Sequence, residues 1–175
     1  MKPHAKERRA RRVTLLLHTE AGDSPPPPPL AAPLASSPPP LPLHPAADEI
    51  LSWAEVQRTH RIRNGVYQRD GRLVSLLTDF GRINACYPDA HADASGDTIH
   101  YTGAGRRGDQ HLTPANRALL SAIESGHAVP LFNKLSVGRW QHLGYWRVIH
   151  ATHQYDAQED RMLWRFTLQK VMNAE

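Results

Sequence analysis

The first fifty residues of this 175-residue chain lack aromatic side chains, because all four tryptophans, five tyrosines and three phenylalanines come later. Twelve of the fifteen prolines, in contrast, lie between Pro3 and Pro45. Since proline has a fixed φ and no amide hydrogen, so dense a run can neither join a sheet nor continue a helix. We therefore expect a disordered tail and linker over residues 1–47 and one domain over residues 48–175, and two globular domains are excluded.

Cysteine and long apolar runs are also scarce. The single cysteine, Cys86, excludes an intramolecular disulfide framework and a multi-cysteine zinc site. No apolar run reaches the roughly 18 residues of a membrane-spanning helix, and the run at residues 13–17 is shorter than the about 7–15 residues of a secretory signal. We expect a soluble intracellular protein with no membrane partner.

The net charge of +4 is unevenly distributed along the chain. Residues 1–12 hold six cations and one anion, whereas residues 48–175 hold 15 cations and 14 anions. Thirteen of those 15 cations are arginine, which favours forked contacts to phosphate, carboxylate or guanine. A solubilising arginine surface is the alternative that composition leaves open.

Residues 22–47 form a proline-rich arm whose simplest interpretation is a spacer. The run from Pro38 to Pro42 has the PxxP spacing, so binding of a protein partner through this arm is the alternative. We expect the basic residues 1–12 to become ordered only on nucleic acid or on a partner.

Capping, turn and alternation signals predict the elements of the folded part. Ser52 and Glu55 form an S-x-x-E capping box at the start of one helix. Thr113 and Pro114 begin a second helix, which Gly126 ends. Apolar patterns predict strands at residues 71–77, 97–102, 129–135, 142–151 and 162–171. The order of elements indicates an α+β domain with a twisted, partly closed, barrel-like and mostly antiparallel sheet flanked by helices.

A glycine-rich segment at residues 101–110 is the densest local feature of the chain. Its three glycines allow tight turns and close approach to a ligand, and Arg106 and Arg107 can meet phosphate. The segment has neither the P-loop pattern nor the dinucleotide-binding fingerprint. An ordinary strand-to-helix connection is the alternative.

Three motifs in and after this segment carry a family resemblance. They are Y-T-G-x-G at residues 101–105, D-Q-x-L-T at residues 109–113 and N-x-A-L at residues 116–119. The set resembles the SET- and RING-associated domain, also called the SRA or YDG domain, and further matches extend the resemblance over about residues 50–171. The motif behind the YDG name reads His142-Leu143-Gly144 here. With its short loop, the chain looks closer to bacterial modification-dependent restriction proteins than to eukaryotic readers.

The resemblance implies recognition of 5-methylcytosine, or a related modified cytosine, in double-stranded DNA by flipping the base out of the duplex. A flipped base needs aromatic stacking, hydrogen bonds on its polar edge and space for the modification. Tyr101 matches the family's stacking aromatic, and Tyr87 is the candidate for the opposite face. Asp89 is the candidate acceptor for the cytosine amino group, and the backbone of Thr102 and Gly103 can complete the polar edge. An ordinary surface turn at residues 87–89 is the alternative.

Two further groups of residues are expected to support such a pocket. Candidates for contact with the DNA backbone are the arginines Arg58, Arg61, Arg63, Arg106 and Arg107. Residues expected to organise the loop are Gly105, Gly108, Asp109, Gln110 and Asn116. A protein with this function is expected in the bacterial cytoplasm at the nucleoid, or in the nucleus of a eukaryote.

No nuclease motif occurs in the sequence, because neither the HNH order nor an acidic residue two positions before Lys134 or Lys170 is present. His150 and His153 have the spacing of two metal ligands, which are too few for a site. We therefore predict no catalytic residue, no metal and no cofactor, and a reader or recruitment module for modified DNA. The alternatives are the specificity subunit or minimal form of a modification-dependent restriction endonuclease, and a protein-interaction domain that binds no DNA.

Overall fold

The structure is a computed structural model that describes residues 47–172. The predicted tail and linker, including the proline-rich arm and its predicted protein partner, lie outside the described residues apart from Ala47. Between residues 47 and 172, no helix has the length and apolar character needed to cross a bilayer.

Eight strands and two helices make up the described chain. In chain order they are β1 (Ile50–Leu51), α1 (Trp53–Val56), β2 (Val66–Arg69), β3 (Arg72–Thr78), β4 (Ala90–His91), β5 (Thr98–Thr102), α2 (Pro114–Ser125), β6 (Val129–Ser136), β7 (Arg139–Asp156) and β8 (Arg161–Lys170). The strands form one sheet in the order β2-β3-β6-β7-β8-β5-β4, with β1 paired to β7. The sheet is mixed, because β3 and β6 run parallel while the other pairs are antiparallel. The predicted α+β class is confirmed.

The prediction of a partly closed, barrel-like sheet is wrong. The path of paired strands ends at β2 and at β4, and no pairing within residues 47–172 joins these two ends. Side chains span the gap instead, since the Tyr101 hydroxyl on β5 donates to the Leu77 carbonyl on β3 at 3.0 Å. Because a strand ladder does not close this gap, a cavity remains between β3 and β5.

Both predicted helix starts are confirmed. The Glu55 amide donates to the Ser52 hydroxyl at 3.4 Å, and the Ser52 amide donates to the Glu55 carboxylate at 2.7 Å. At α2, the Thr113 hydroxyl accepts from the Asn116 amide, and Gly126 ends the helix in the left-handed conformation with φ of 60°. These local signals suffice because each cap involves residues within one turn of the chain.

The sequence does not predict β2 and β4, and it predicts β7 too short. Asp70 and Gly71 join β2 to β3 with φ of 52° and 77°, and the Asp-Gly pair is a hairpin signal that identifies β2 in retrospect. A register shift between Val148 and His150 interrupts the alternation of β7. Beyond that shift β7 continues to Asp156, because its polar end pairs with β8.

The main core lies where α2 packs against β2, β3 and β7. Its larger buried side chains are Leu73, Leu76, Ile99, Tyr101, Leu119, Leu131, Trp146, Phe166 and Leu168. A smaller cluster joins Leu51, Val56, Leu77, Phe132 and Trp140, with Trp53 packed against it. Trp146 is buried in the main core and Trp140 in the smaller cluster, and the partly buried Trp164 packs against the main core.

Candidate nucleic-acid interface

A cavity of about 440 Å³ opens between β3, β5 and the segments that follow each of them. The five residues predicted to hold a flipped base all line it: Tyr87, Asp89, Tyr101, Thr102 and Gly103. Other lining residues include Arg63, Asn64, Thr78, Asp79, Asn84, Ala104, Gly105, Arg106, Lys134 and Trp140. The cavity thus combines aromatic walls, backbone groups and both signs of charge.

Asp89 is one of the two buried carboxylates that line this cavity, the other being Asp79, and it directly precedes β4. One oxygen accepts from the Thr78 hydroxyl at 2.7 Å, and the other accepts from the Thr102 amide at 2.7 Å. Burial raises the pKa of Asp89 to about 6, although the hydrogen bonds from Thr78 and Thr102 oppose this shift. The ionised form therefore predominates at neutral pH. Since each carboxylate oxygen can accept two hydrogen bonds, Asp89 retains acceptor capacity.

Tyr101 forms a fixed wall of the cavity. Its side chain is only 3% exposed. Its hydroxyl lies 3.1 Å from the Gly65 carbonyl and 3.0 Å from the Leu77 carbonyl, and it donates to them. A Cβ atom at Gly65 would lie 2.9 Å from that hydroxyl, so glycine at this position leaves room for the tyrosine. Burial raises the pKa of Tyr101 well above its ordinary value, and the ring stays neutral.

Tyr87 is half-buried and sits on the segment between β3 and β4. The carbonyls on either side of it are held by arginines of β8. Arg161 donates to the Cys86 carbonyl at 2.6 Å, and Arg165 donates to the Pro88 carbonyl at 2.9 Å. With these contacts and the burial of Asp89, residues 87–89 do not form the ordinary surface turn that was the alternative.

Arg161 and Arg165 are site-organising residues that the sequence reasoning missed. The buried Arg161 also donates to the Gly105 and Gly108 carbonyls, at 2.8 and 3.2 Å, so one guanidinium joins both segments that border the cavity. Arg165 donates to the Thr102 hydroxyl at 3.2 Å and forms an ion pair of 2.6 Å with Asp156. Arg165 lies within the strand predicted at residues 162–171 and Arg161 directly precedes it, and no local pattern indicates the contacts that either makes.

The glycine-rich segment is held by the two amide side chains predicted to organise it. Gln110 donates to the Gly103 and Gly105 carbonyls at 2.6 and 3.0 Å, and it accepts from the Trp164 amide at 2.9 Å. Asn116 accepts from the Ala104 amide at 2.7 Å and donates back to the Ala104 carbonyl at 2.9 Å. These bonds satisfy backbone groups that no sheet or helix partner serves.

Close packing, glycine conformations and the carboxylate of Asp109 also fix the glycine-rich segment in place. A Cβ atom at Gly103 would lie 2.7 Å from Cβ of Trp164, so this position has no room for a side chain. Gly105 and Gly108 have φ of 133° and 63°, which disfavour other residues. Asp109 accepts from the Met162 amide at 2.8 Å and so joins the loop to β8.

The five candidate arginines for DNA contact are all exposed. Only Arg63 and Arg106 line the cavity. Within the described part of the chain, none of the five forms an ion pair with a carboxylate. The structure does not bring Arg58, Arg61 and Arg107 to the cavity wall.

The two histidines with the spacing of metal ligands, His150 and His153, both lie on β7. His153 contacts the Gln110 carbonyl through Nε2 at 3.0 Å, and its ring stacks on Trp164. Among residues 47–172, no group of three metal-binding side chains is assembled.

The arrangement of a mixed sheet and a cavity with aromatic and carboxylate walls is that of an SRA domain. The family model described as "ScoMcrA-like, SRA domain" matches residues 60–174. The chain belongs to this family. No curated protein matches it.

Solved structures share the fold at low sequence identity. The SUVH5 SRA domain in complex with methylated CHH DNA is 22% identical, with a TM-score of 0.59 over 74% of this chain and 90% of that chain. The same domain bound to fully hydroxymethylated CG DNA is 20% identical, with a TM-score of 0.60 over 75% of this chain and 93% of that chain. The modification-dependent TagI restriction endonuclease is 21% identical, with a TM-score of 0.59 over 73% of this chain and 50% of that chain.

Proposed function

We propose that this protein binds double-stranded DNA containing 5-methylcytosine or a related modified cytosine, and that the modified base is flipped into the cavity. The observation that carries the proposal is the buried carboxylate of Asp89 in a cavity that Tyr87 and Tyr101 also line. SUVH5 SRA domains bound to methylated and hydroxymethylated DNA have this fold, which supports the choice of ligand.

The cavity has the size that a flipped base requires. One water occupies about 30 Å³ in the liquid, so about 440 Å³ corresponds to about fifteen waters. That number exceeds the non-hydrogen atoms of a cytosine with a methyl or hydroxymethyl group. A base therefore fits without displacing the core residues behind Tyr101.

The polar groups of the cavity suit the edge of cytosine. At neutral pH the ionised Asp89 is an acceptor, and the exocyclic amino group of cytosine is a donor. The rings of Tyr87 and Tyr101 supply the stacking faces, because stacking on aromatic side chains replaces the stacking lost from the duplex. Thr102 and Gly103 line the cavity beside Asp89, with their backbone amides bonded to the Asp89 carboxylate and to the Trp164 carbonyl.

Binding to matched duplexes tests the proposal. Fluorescence anisotropy is measured with unmodified, hemimethylated, fully methylated and hydroxymethylated duplexes of one sequence at one salt concentration. We expect the dissociation constant to be at least tenfold lower for one of the modified duplexes. Equal dissociation constants for all four duplexes would show that the cavity does not read cytosine modification.

Base flipping is tested separately, with 2-aminopurine placed next to the modified cytosine. Its fluorescence should rise on binding because the neighbouring base leaves the stack. The variant Tyr87→Ala should lose this rise and the preference for modified DNA. The matched control is Tyr155→Ala, since Tyr155 is 59% exposed on β7 and does not line the cavity. Tight binding by the unaltered protein without a fluorescence change contradicts flipping.

A second candidate function is the specificity part, or a minimal form, of a modification-dependent restriction endonuclease. The similarity to TagI favours it, although this chain covers half of the TagI chain. Methylated and unmethylated plasmids are incubated with the protein and Mg²⁺ or Mn²⁺. Cleavage of the methylated plasmid alone, abolished by a chelator, supports this candidate. Intact plasmid supports DNA reading as the activity of this chain.

A further inference from the structure

Two cations that line the cavity lie over tryptophan rings: Lys134 on β6, which is not among the predicted DNA contacts, and Arg63, which is. Lys134 lines the cavity, and its ammonium lies 5.8 Å from the ring centroid of Trp140. The Trp140 ring lies 5.3 Å from the Trp53 ring, and the guanidinium of Arg63 lies 5.3 Å from the Trp53 ring centroid. Two tryptophans thus carry one cation each, and both cations line the cavity.

Arg82 adds a third cation beside Lys134. Its guanidinium donates to the Lys134 carbonyl at 2.8 Å and to the Asn133 side chain at 3.2 Å. Its Nε also donates to the Asp79 carbonyl at 3.1 Å, so the side chain is held against the backbone by neutral acceptors. The charge of Arg82 is therefore not cancelled by these contacts.

The charges at the cavity are segregated by depth. Lys134, Arg63 and Arg82 form no ion pair within the described part of the chain. The cavity's carboxylates, Asp79 and Asp89, are buried and hydrogen-bonded within the protein. The more accessible rim is therefore positive and the floor is negative, and a positive rim attracts phosphate.

The ring face of Trp140 also reduces the conformational freedom of the Lys134 side chain. A lysine ammonium over an indole is attracted to the ring and its stem packs along the apolar surface. Lys134 consequently loses less side-chain entropy on meeting an anion than a freely extended lysine does. A restrained cation at the rim is suited to contact a ligand's charge next to the base.

We propose that Lys134, supported by Trp140 and flanked by Arg63 and Arg82, is a phosphate-binding edge for the DNA backbone next to the flipped nucleotide. This inference rests on the proposed function, because it takes the cavity as the base site. The edge supplies affinity and strand position rather than discrimination between cytosine and its modified forms, since phosphates carry no modification.

Salt dependence tests the edge. Each phosphate contact contributes about 0.9 to the slope of log binding constant against log salt concentration on duplex DNA. We expect Lys134→Gln to lower the magnitude of that slope by about one and to weaken binding to modified and unmodified duplexes by the same factor. Lys134→Arg should restore the slope, because it keeps the charge.

Lys170 provides the matched control. It is the other lysine of residues 48–175, it has the same intermediate exposure as Lys134, and it does not line the cavity. Lys170→Gln should leave the slope as in the unaltered protein. Thermal unfolding of the folded full chain checks that neither substitution disturbs the domain.

The outcomes separate this inference from the proposed function. If Lys134→Gln and Lys170→Gln have the same slope, the phosphate edge is wrong whether or not modified DNA is preferred. If Lys134→Gln changes the ratio of modified to unmodified affinity, Lys134 contacts the base and the edge is also wrong. If the unaltered protein shows no preference but Lys134→Gln still lowers the slope, the proposed function fails and the phosphate edge stands. Absence of any DNA binding overturns both.

Discussion

At the scale of single residues, the proposed function makes Asp89 the link between the stability of the domain and the recognition of a base. Its carboxylate is buried and hydrogen-bonded to Thr78 and Thr102. The rise of its pKa from 3.8 to about 6 shows that burial disfavours the charged form more than these bonds favour it. The ionised carboxylate of Asp89 is therefore held at the expense of folding stability.

We predict that Asp89→Asn stabilises the fold and impairs the function. The amide oxygen can accept from the Thr102 amide, and the amide NH₂ can donate to the Thr78 hydroxyl, which is able to accept. Removing the buried charge should raise the free energy of unfolding at pH 7.5 by up to about 3 kcal/mol, measured by urea denaturation. The preference for modified DNA should fall about tenfold or more, because one base contact contributes about 1–3 kcal/mol. A variant that is less stable yet keeps its preference contradicts this role.

His60 has the opposite pH dependence. It is buried with its two ring nitrogens 2.8 Å from the Ser75 hydroxyl and 2.6 Å from the Asn64 carbonyl. Burial lowers the pKa of His60 to about 4, against the opposing effect of the Asn64 carbonyl. The stability it contributes is present above its unfolded pKa of 6.5 and is lost as pH falls through about 4. Asp89 acts in reverse, because its raised pKa adds stability as pH falls from about 6 towards 3.8.

We therefore predict that the two groups offset each other in the unaltered protein between pH 6.5 and 4. In Asp89→Asn only the histidine effect remains, so the free energy of unfolding should fall more steeply with acid. The stability advantage of Asp89→Asn should therefore shrink from about 3 kcal/mol at pH 7 towards zero at pH 4. Urea denaturation at pH 7, 6, 5 and 4 measures it. Parallel curves for the two proteins would show that the pKa of Asp89 is not raised.

At the scale of elements, β8 holds together the segments that form the cavity. Arg161 reaches the carbonyls of Cys86, Gly105 and Gly108, and Arg165 reaches that of Pro88. These residues lie on a ten-residue strand paired on both sides. The walls of the cavity are consequently positioned by a rigid strand rather than by the loops alone.

Substitution of Arg161 tests this arrangement. Arg161→Gln should lower the free energy of unfolding by about 2–3 kcal/mol, since it leaves buried carbonyls without a donor. The ratio of modified to unmodified affinity should fall as well, because Tyr87 is no longer held in place. The salt slope should stay unchanged, since Arg161 is buried and contacts no phosphate. Arg147→Gln on the exposed face of β7 is the control and should alter none of the three values.

At the scale of the whole molecule, most of the net positive charge lies outside the domain that contains the cavity. Residues 48–175 are close to neutral, with 15 cations and 14 anions, whereas residues 1–12 carry six cations and one anion. Attraction to phosphate that does not depend on modification is expected from the basic segment. Under the proposed function, the preference for a modified base comes from the cavity.

Neutralising the basic segment separates these contributions. Lysines and arginines 2, 6, 8, 9, 11 and 12 are replaced with glutamine in the full chain. Affinity for unmodified duplex at low salt should fall, and the salt slope should decrease by up to about five. The ratio of modified to unmodified affinity should be retained. A shuffled segment of the same composition serves as the control, and loss of the ratio with the neutral segment would place part of the recognition there.

Elements whose signals lie within a few residues could be predicted from the sequence. The caps at Ser52 and Thr113 and the stop at Gly126 are local hydrogen-bond patterns, and five of the eight described strands follow from apolar patterns. The motif at residues 101–105 also led to Tyr101 and Thr102, which line the cavity. The closure of the sheet could not be predicted, because it depends on whether its two end strands pair.

The sequence by itself determined which family the chain belongs to and which residues are candidates for the base pocket. Only the tertiary structure decided how that pocket is held and charged. Arg161 and Cys86 are 75 positions apart, and Arg165 and Pro88 are 77 apart. No local pattern reports such contacts, since they form only when the folded sheet brings distant segments together. The charge state of Asp89 likewise depends on burial, a property that a residue acquires from the whole fold.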